Sequence, residues 1–288
     1  MDRSILSKKD FYLIAEIGGN HQGSFKKAKE ICELAINSGA NCIKFQLYTA
    51  QNLVNKKISQ DRFKHFQKFE LKKNEHIYLA KKCIDSGVDY TASIWDLEMF
   101  KWIEPYLKFI KVGSGDLTAY NFLKEFSKTN KPIVLSTGLS FEKEVIDAIE
   151  FLRECNPIYN DYGMLTIMQC TSMYPIRNID ANLSIIKEFS KIKNILPGYS
   201  DHTIGLDALV KEEITPTEYL PTGSESVPNE DIPVVIVFDL IRHVIIPEPV
   251  VGLSTVNDST MYMLSINVSP IPTISLSVPV LNIDVTPV

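Results

Sequence analysis

The sequence holds no apolar run long enough to cross a bilayer, and its first ten residues, Met1 to Asp10, are polar where a signal peptide would have its apolar core. A membrane role is therefore not expected, and the chain reads as cytoplasmic. Its five cysteines are odd in number and none stands in a CxxC pair. That excludes the usual spacing of a structural zinc site and argues against a disulfide framework; free buried thiols in a reducing compartment are expected. Basic residues do not exceed acidic ones: the net charge is −5, which speaks against nucleic acid as the main partner. No Gly-rich loop follows the first apolar run, which weakens a dinucleotide-binding reading.

What is present, up to about residue 209, is a regular alternation. Short runs rich in Val, Ile, Leu and Phe occur at Phe11–Gly18, Asn41–Tyr48, Asp89–Trp95, Phe109–Ser114, Pro132–Gly138, Leu165–Thr171 and Leu196–His202. Each has the length and closure of a parallel strand buried on both faces. Between them lie amphipathic stretches, the larger being Ser24–Ser38, Asn74–Ser86, Phe141–Cys155 and Ala181–Lys193; the first two are followed by Gly39 and Gly87, which act as stops. Seven βα units without a change of pattern favour a (β/α)8 barrel over an open doubly wound sheet.

Past residue 209 the composition changes. Ten of the fifteen prolines lie there, with two basic residues, Lys211 and Arg242, against ten acidic ones. The expectation is a barrel domain over 1–209 and an atypical Pro/Val/Ile-rich extension over 210–288, with the barrel incomplete or irregular after its seventh strand. Val234–Ile246 is the candidate eighth strand. A foreign extension after a truncated barrel, a divergent but folded substitute and a disordered tail are three readings of this part.

Barrel chemistry sits at the C-terminal ends of the strands. Here those ends carry Glu16, Lys44, Gln46, Ser93, Lys111, Ser114, Asp116, Ser136, Ser172, Tyr174, Ser200 and His202. Two lysines and several hydroxyls around glycine suit a phosphate or carboxylate, since they supply charge and donors while glycine admits the backbone. A single lysine at a strand end is more often a solvated rim. Two lysines with serines on separate strand ends make the anion pocket the better explanation.

The segments "AEIGGNHQGS", "IKFQ", "KVGSGD", "LSTG", "CTSMYP" and "GYSDHTIG" occur in that order. Together they resemble the sialic acid synthase family, which includes legionaminic and pseudaminic acid synthases, over about residues 11–209. The resemblance implies a phosphoenolpyruvate (PEP)-dependent, C–C bond-forming transferase. Such an enzyme joins PEP to an N-acetylmannosamine-type aldehyde and releases phosphate. It implies that Lys44 and Lys111 hold the PEP carboxylate and phosphate, and that Ser93, Ser114, Ser136, Ser172 and Ser200 donate to PEP. Gln46, Asp116 and Tyr174 would face the sugar, and Glu16 would handle a proton. Asp116 stands where many relatives have Glu, one methylene longer. His202 matches a ligand of a divalent metal, Mn2+ or Mg2+. A second family histidine has no counterpart at its usual spacing; His243 is the nearest candidate. The family's acidic sugar loop and small C-terminal domain have no counterpart either, so a catalytically inactive barrel that at most binds PEP or phosphate is the alternative. A homodimer is a further implication. Outside the motifs, His21 is expected to shape the first loop, His65 and His76 to lie on the surface, and Trp95 and Trp102 to pack.

Overall fold

The computed structural model describes residues 12–205 and 208 in full, together with the backbone of three short strands at 235–239, 262–267 and 282–287. Eight parallel strands close a barrel in sequence order. They are β1 (Tyr12–Glu16), β2 (Cys42–Leu47), β3 (Asp89–Ile94), β4 (Ile110–Val112), β5 (Ile133–Ser136), β6 (Leu165–Cys170), β7 (Ile195–Ser200) and β8 (Val235–Asp239). The expected barrel is present, closed by an eighth strand where an incomplete or irregular end was expected, and each of the seven sequence runs coincides with a strand, β7 beginning one residue before its run, at Ile195. β8 falls inside the candidate segment 234–246 and pairs with both β7 and β1. Two further strands, β9 (Tyr262–Asn267) and β10 (Asn282–Pro287), form an antiparallel pair.

The helices are α1 (Phe25–Asn37), α2 (Ala50–Leu53), α3 (Gln60–Lys68), α4 (Lys73–Asp85), α5 (Leu97–Ile103), α6 (Tyr120–Ser127), α7 (Glu142–Cys155) and α8 (Ile185–Ser190). Local chemistry sets their ends. The Ser24 hydroxyl accepts from Lys27 N at the start of α1, and Glu75 and Glu144 reach back to the amides of Lys72 and Phe141 before α4 and α7. Gly39 and Gly87 follow α1 and α4 with φ of +84° and +77°, which a side chain would disfavour. α8 is much shorter than the Ala181–Lys193 stretch expected. Asn182 takes a left-handed conformation there and separates a 3-10 turn, Asn178–Ala181, from the helix proper.

Two apolar layers result. One lies between the strands and the helices, where Ala28, Cys32, Ile43, Leu79, Ile110 and Ile149 are all buried. The other fills the lower barrel: Tyr12, Ile14, Cys42, Phe109, Val134, Met168 and Leu196. Side chains alternate along a strand, so residues two apart share a face. The face that carries the lower layer therefore also carries Glu16, Lys44, Lys111, Ser136 and Ser200 further along. All five cysteines are free; four are buried and Cys155 is half-buried. Among the described residues no helix is long and apolar enough to cross a membrane.

Candidate active site

Strand register brings the polar strand ends side by side. Glu16 is level with Lys44, Gln46 with Ser93, Ser93 with Lys111, and Cys170 with Ser200. Lys44, Ser93, Lys111, Ser136 and Ser200 are all buried. Lys44 is ion-paired with Glu16, whose other oxygen accepts from Gly18 N at 2.7 Å. Lys111 has no such partner among the described residues. Its ammonium donates to Ser136 Oγ at 2.6 Å and to the Val112 carbonyl at 3.0 Å. Burial, and then the charge of Lys44, push its pKa down to about 7.

The loops above are drawn close. Ser114 Oγ accepts from Gly138 N at 3.0 Å. A Cβ at Gly138 would collide with Ser172 Oγ and would stand 2.9 Å from Ser114 Oγ and 3.0 Å from the Cys170 carbonyl. Glycine at 138 thus lets the ends of β4, β5 and β6 converge. Asp116 accepts from Trp95 Nε1 at 2.7 Å, and burial raises its pKa.

His202, just past β7, is buried. Its Nδ1 lies 2.6 Å from the Thr171 carbonyl, and its Nε2 lies 2.5 Å from Tyr174 Oη and 3.6 Å from Cys170 Sγ. The Tyr174 ring stacks on the imidazole with centroids 3.6 Å apart. Burial lowers the His202 pKa to about 4, so the ring is neutral at pH 7. A neutral imidazole with Nδ1–H on a carbonyl has the form of a metal ligand. Yet the described residues contain no group of three His, Cys, Asp or Glu side chains that could hold an ion. One imidazole does not make a site for Mn2+ or Mg2+, so the described residues do not fit the cation by themselves. His243 lies outside the described residues.

Every candidate residue therefore lies near the C-terminal end of a strand or in the loop just beyond it, and direct contacts link Glu16 with Lys44, Lys111 with Ser136, and Tyr174 with His202. Gln46, Ser93 and Ser200 are joined to the rest by register. Two residues escaped the sequence reading. Asp201 is buried and accepts from Tyr199 Oη, Thr203 N and Thr203 Oγ1, which fixes the turn carrying His202. Its signal was present, a carboxylate between Ser200 and His202 at a strand end. Trp95 packs as expected, edge-on to Tyr48, and its indole also donates to Asp116. His76 needs correction: it is 1% exposed, packed by Phe45 and Trp102, not on the surface.

A family model described as the NeuB family matches residues 31–212. The chain belongs to the NeuB family. An uncharacterized protein of Methanocaldococcus jannaschii is 34% identical over 213 residues, covering 73% of this chain and 60% of that protein. The N-acetylneuraminate-9-phosphate synthase of Drosophila melanogaster is 32% identical over 208 residues, covering 68% of this chain and 55% of its own length. This NeuB chain thus spans little more than half the length of these relatives. In fold it is similar to the crystal structure of an N-acetylneuraminic acid synthetase from Leptospira borgpetersenii, with a TM-score of 0.67, 21% identity, and coverage of 81% of this chain and 75% of that one.

Proposed function

We propose that this NeuB-family chain condenses PEP with an N-acetylmannosamine-type amino sugar to give a nonulosonic acid and phosphate. The observation that carries the reading is one interior barrel face on which Lys44, Lys111 and Ser136 stand together above an apolar layer. A buried lysine such as Lys111, whose charge no carboxylate partners, is costly to keep unless the site receives an anion. The relatives' names supply the substrate class.

In this reading Lys44 and Lys111 neutralise the PEP carboxylate and phosphate, while Ser93, Ser114, Ser136, Ser172 and Ser200 orient its oxygens. C3 of PEP forms a bond to the sugar aldehyde carbon, whose oxygen gains a proton. Water then adds at C2, losing a proton, and phosphate leaves with cleavage of its C–O bond. Glu16, tethered by Lys44 and Gly18 N, is the carboxylate in reach for proton transfer. Gln46, Asp116 and Tyr174 face the sugar. The resemblance implies a divalent cation with His202 as one ligand; since the described residues supply only that imidazole, no step here runs through it. A cytoplasmic setting suits five free thiols, and a homodimer follows from the resemblance.

Incubation with PEP, Mn2+ and N-acetylmannosamine should release phosphate. Absence of release with every 2-acetamido sugar removes the enzymatic reading. The alternative is a barrel that binds PEP or phosphate without turnover, which heat of PEP binding by calorimetry without phosphate release would reveal. Lys44→Ala removes one cation and strands Glu16, so PEP binding should be lost under either reading. Unchanged affinity would mean the pocket is misassigned.

A further inference from the structure

Trp95 follows β3 directly, and its backbone amide donates to the Leu47 carbonyl at 3.1 Å. Its half-buried ring meets Tyr48 edge-on, with centroids 6.0 Å apart, and Tyr48 meets Phe66 of α3 edge-on at 5.4 Å. This aromatic chain pins the indole, which can only donate. Its one N–H goes to Oδ2 of Asp116. The Asp116 backbone is held separately, through its amide to Gly113 and its carbonyl from Ala119. Among the described residues the indole is the only hydrogen-bond donor to the Asp116 carboxylate, and it leaves Oδ1 without one. A phenyl ring could fill the same space and could not make this bond.

We propose that Trp95 is a positioning residue for the sugar half of the reaction, holding the Asp116 carboxylate in the orientation that receives the hydroxyls of an open-chain amino sugar. The proposal rests on the functional reading above and deepens it. A carboxylate already bonded on one oxygen loses less freedom when a ligand engages the other. A hydrogen bond to a charged acceptor is also among the stronger ones. Lys111 on β4 is a charged group bearing on Asp116, and like the indole's hydrogen bond it favours the ionised form, against burial.

The chain has two tryptophans, Trp95 and Trp102, so protein labelled with 15N-tryptophan should give two indole resonances, assigned with W102F. The Trp95 resonance should shift with pH as Asp116 ionises and should lose that dependence in D116N. A resonance insensitive to pH in the unmodified protein overturns the tie. W95F keeps the ring and removes the donor. It should raise the KM for N-acetylmannosamine about tenfold, the scale of one hydrogen bond to a charged group, and leave the KM for PEP nearly unchanged. Equal losses for both substrates, or a fall in kcat alone, would overturn the positioning role. No turnover by the unmodified protein overturns the functional reading and the sugar assignment with it, while the resonance still decides whether the tie exists.

Discussion

Lys111 bears a cost that Lys44 escapes. Lys44 shares its charge with Glu16, whereas the Lys111 ammonium rests on a hydroxyl and a carbonyl beside a second cation. Its folded pKa of about 7 lies below the ordinary 10.5. Between those values the free pocket holds a neutral amine, and a bound anion raises the pKa and draws a proton in. Calorimetry with PEP in buffers of different ionisation enthalpy should therefore show uptake approaching about one proton near pH 8.5 and almost none at pH 6. Equal uptake at both would contradict the assignment. At Gly138 the constraint is space. Gly138→Ala forces a methyl against two serine hydroxyls and a carbonyl, so we expect a loss of about 1–3 kcal/mol in thermal or denaturant unfolding and weaker PEP affinity.

At the scale of elements, α4 shows which sequence signal to trust. The lysines around His76 suggested surface, but His76, Leu79, Ala80 and Cys83 recur at the spacing of one helical stripe, and all four are buried. Periodicity was the better guide because a helix buries a face, not a stretch. His76 stays neutral, its pKa lowered to about 3 by burial and then by the nearby His21, and its Nδ1 has no hydrogen-bond partner among the described residues. His21, in the loop after β1, is lowered to about 4 by burial and accepts from Gly23 N. Both folded values lie below the ordinary 6.5. The unfolded chain therefore binds more protons as pH falls, and stability should decline from about pH 6.5 down to about pH 4, by up to about 1.4 kcal/mol per pH unit for each histidine. His76→Leu removes one of these protons and an unsatisfied polar atom. It should flatten the slope in urea unfolding measured across that range, and an unchanged slope would show that His76 does not set it.

At the scale of the whole molecule, closure depends on a strand from the Pro-rich part of the chain. β8 lies between β7 and β1 and ends on Asp239, level with Glu16. Without it both neighbours present open edges. A chain stopped after residue 209 should aggregate or lose its cooperative melting transition, while one stopped after residue 246 should keep it. Equal behaviour of the two would mean that β8 does not close the barrel. A domain boundary at 209, as composition suggested, would then stand; otherwise the barrel unit runs through 239.

The amino-acid sequence alone determined the repeating strand and helix pattern, the barrel class, and the polar residues at the strand ends. These follow from local chain geometry, where a two-residue period on a buried strand assigns each side chain to a face. Only the tertiary structure decided the pairings: Glu16 with Lys44 rather than Lys111, Trp95 with Asp116, Tyr174 on His202, and His76 in the core. Each depends on how far apart two segments, distant in sequence, come to rest. That distance is set by packing of the whole barrel and is written in no single stretch of the chain.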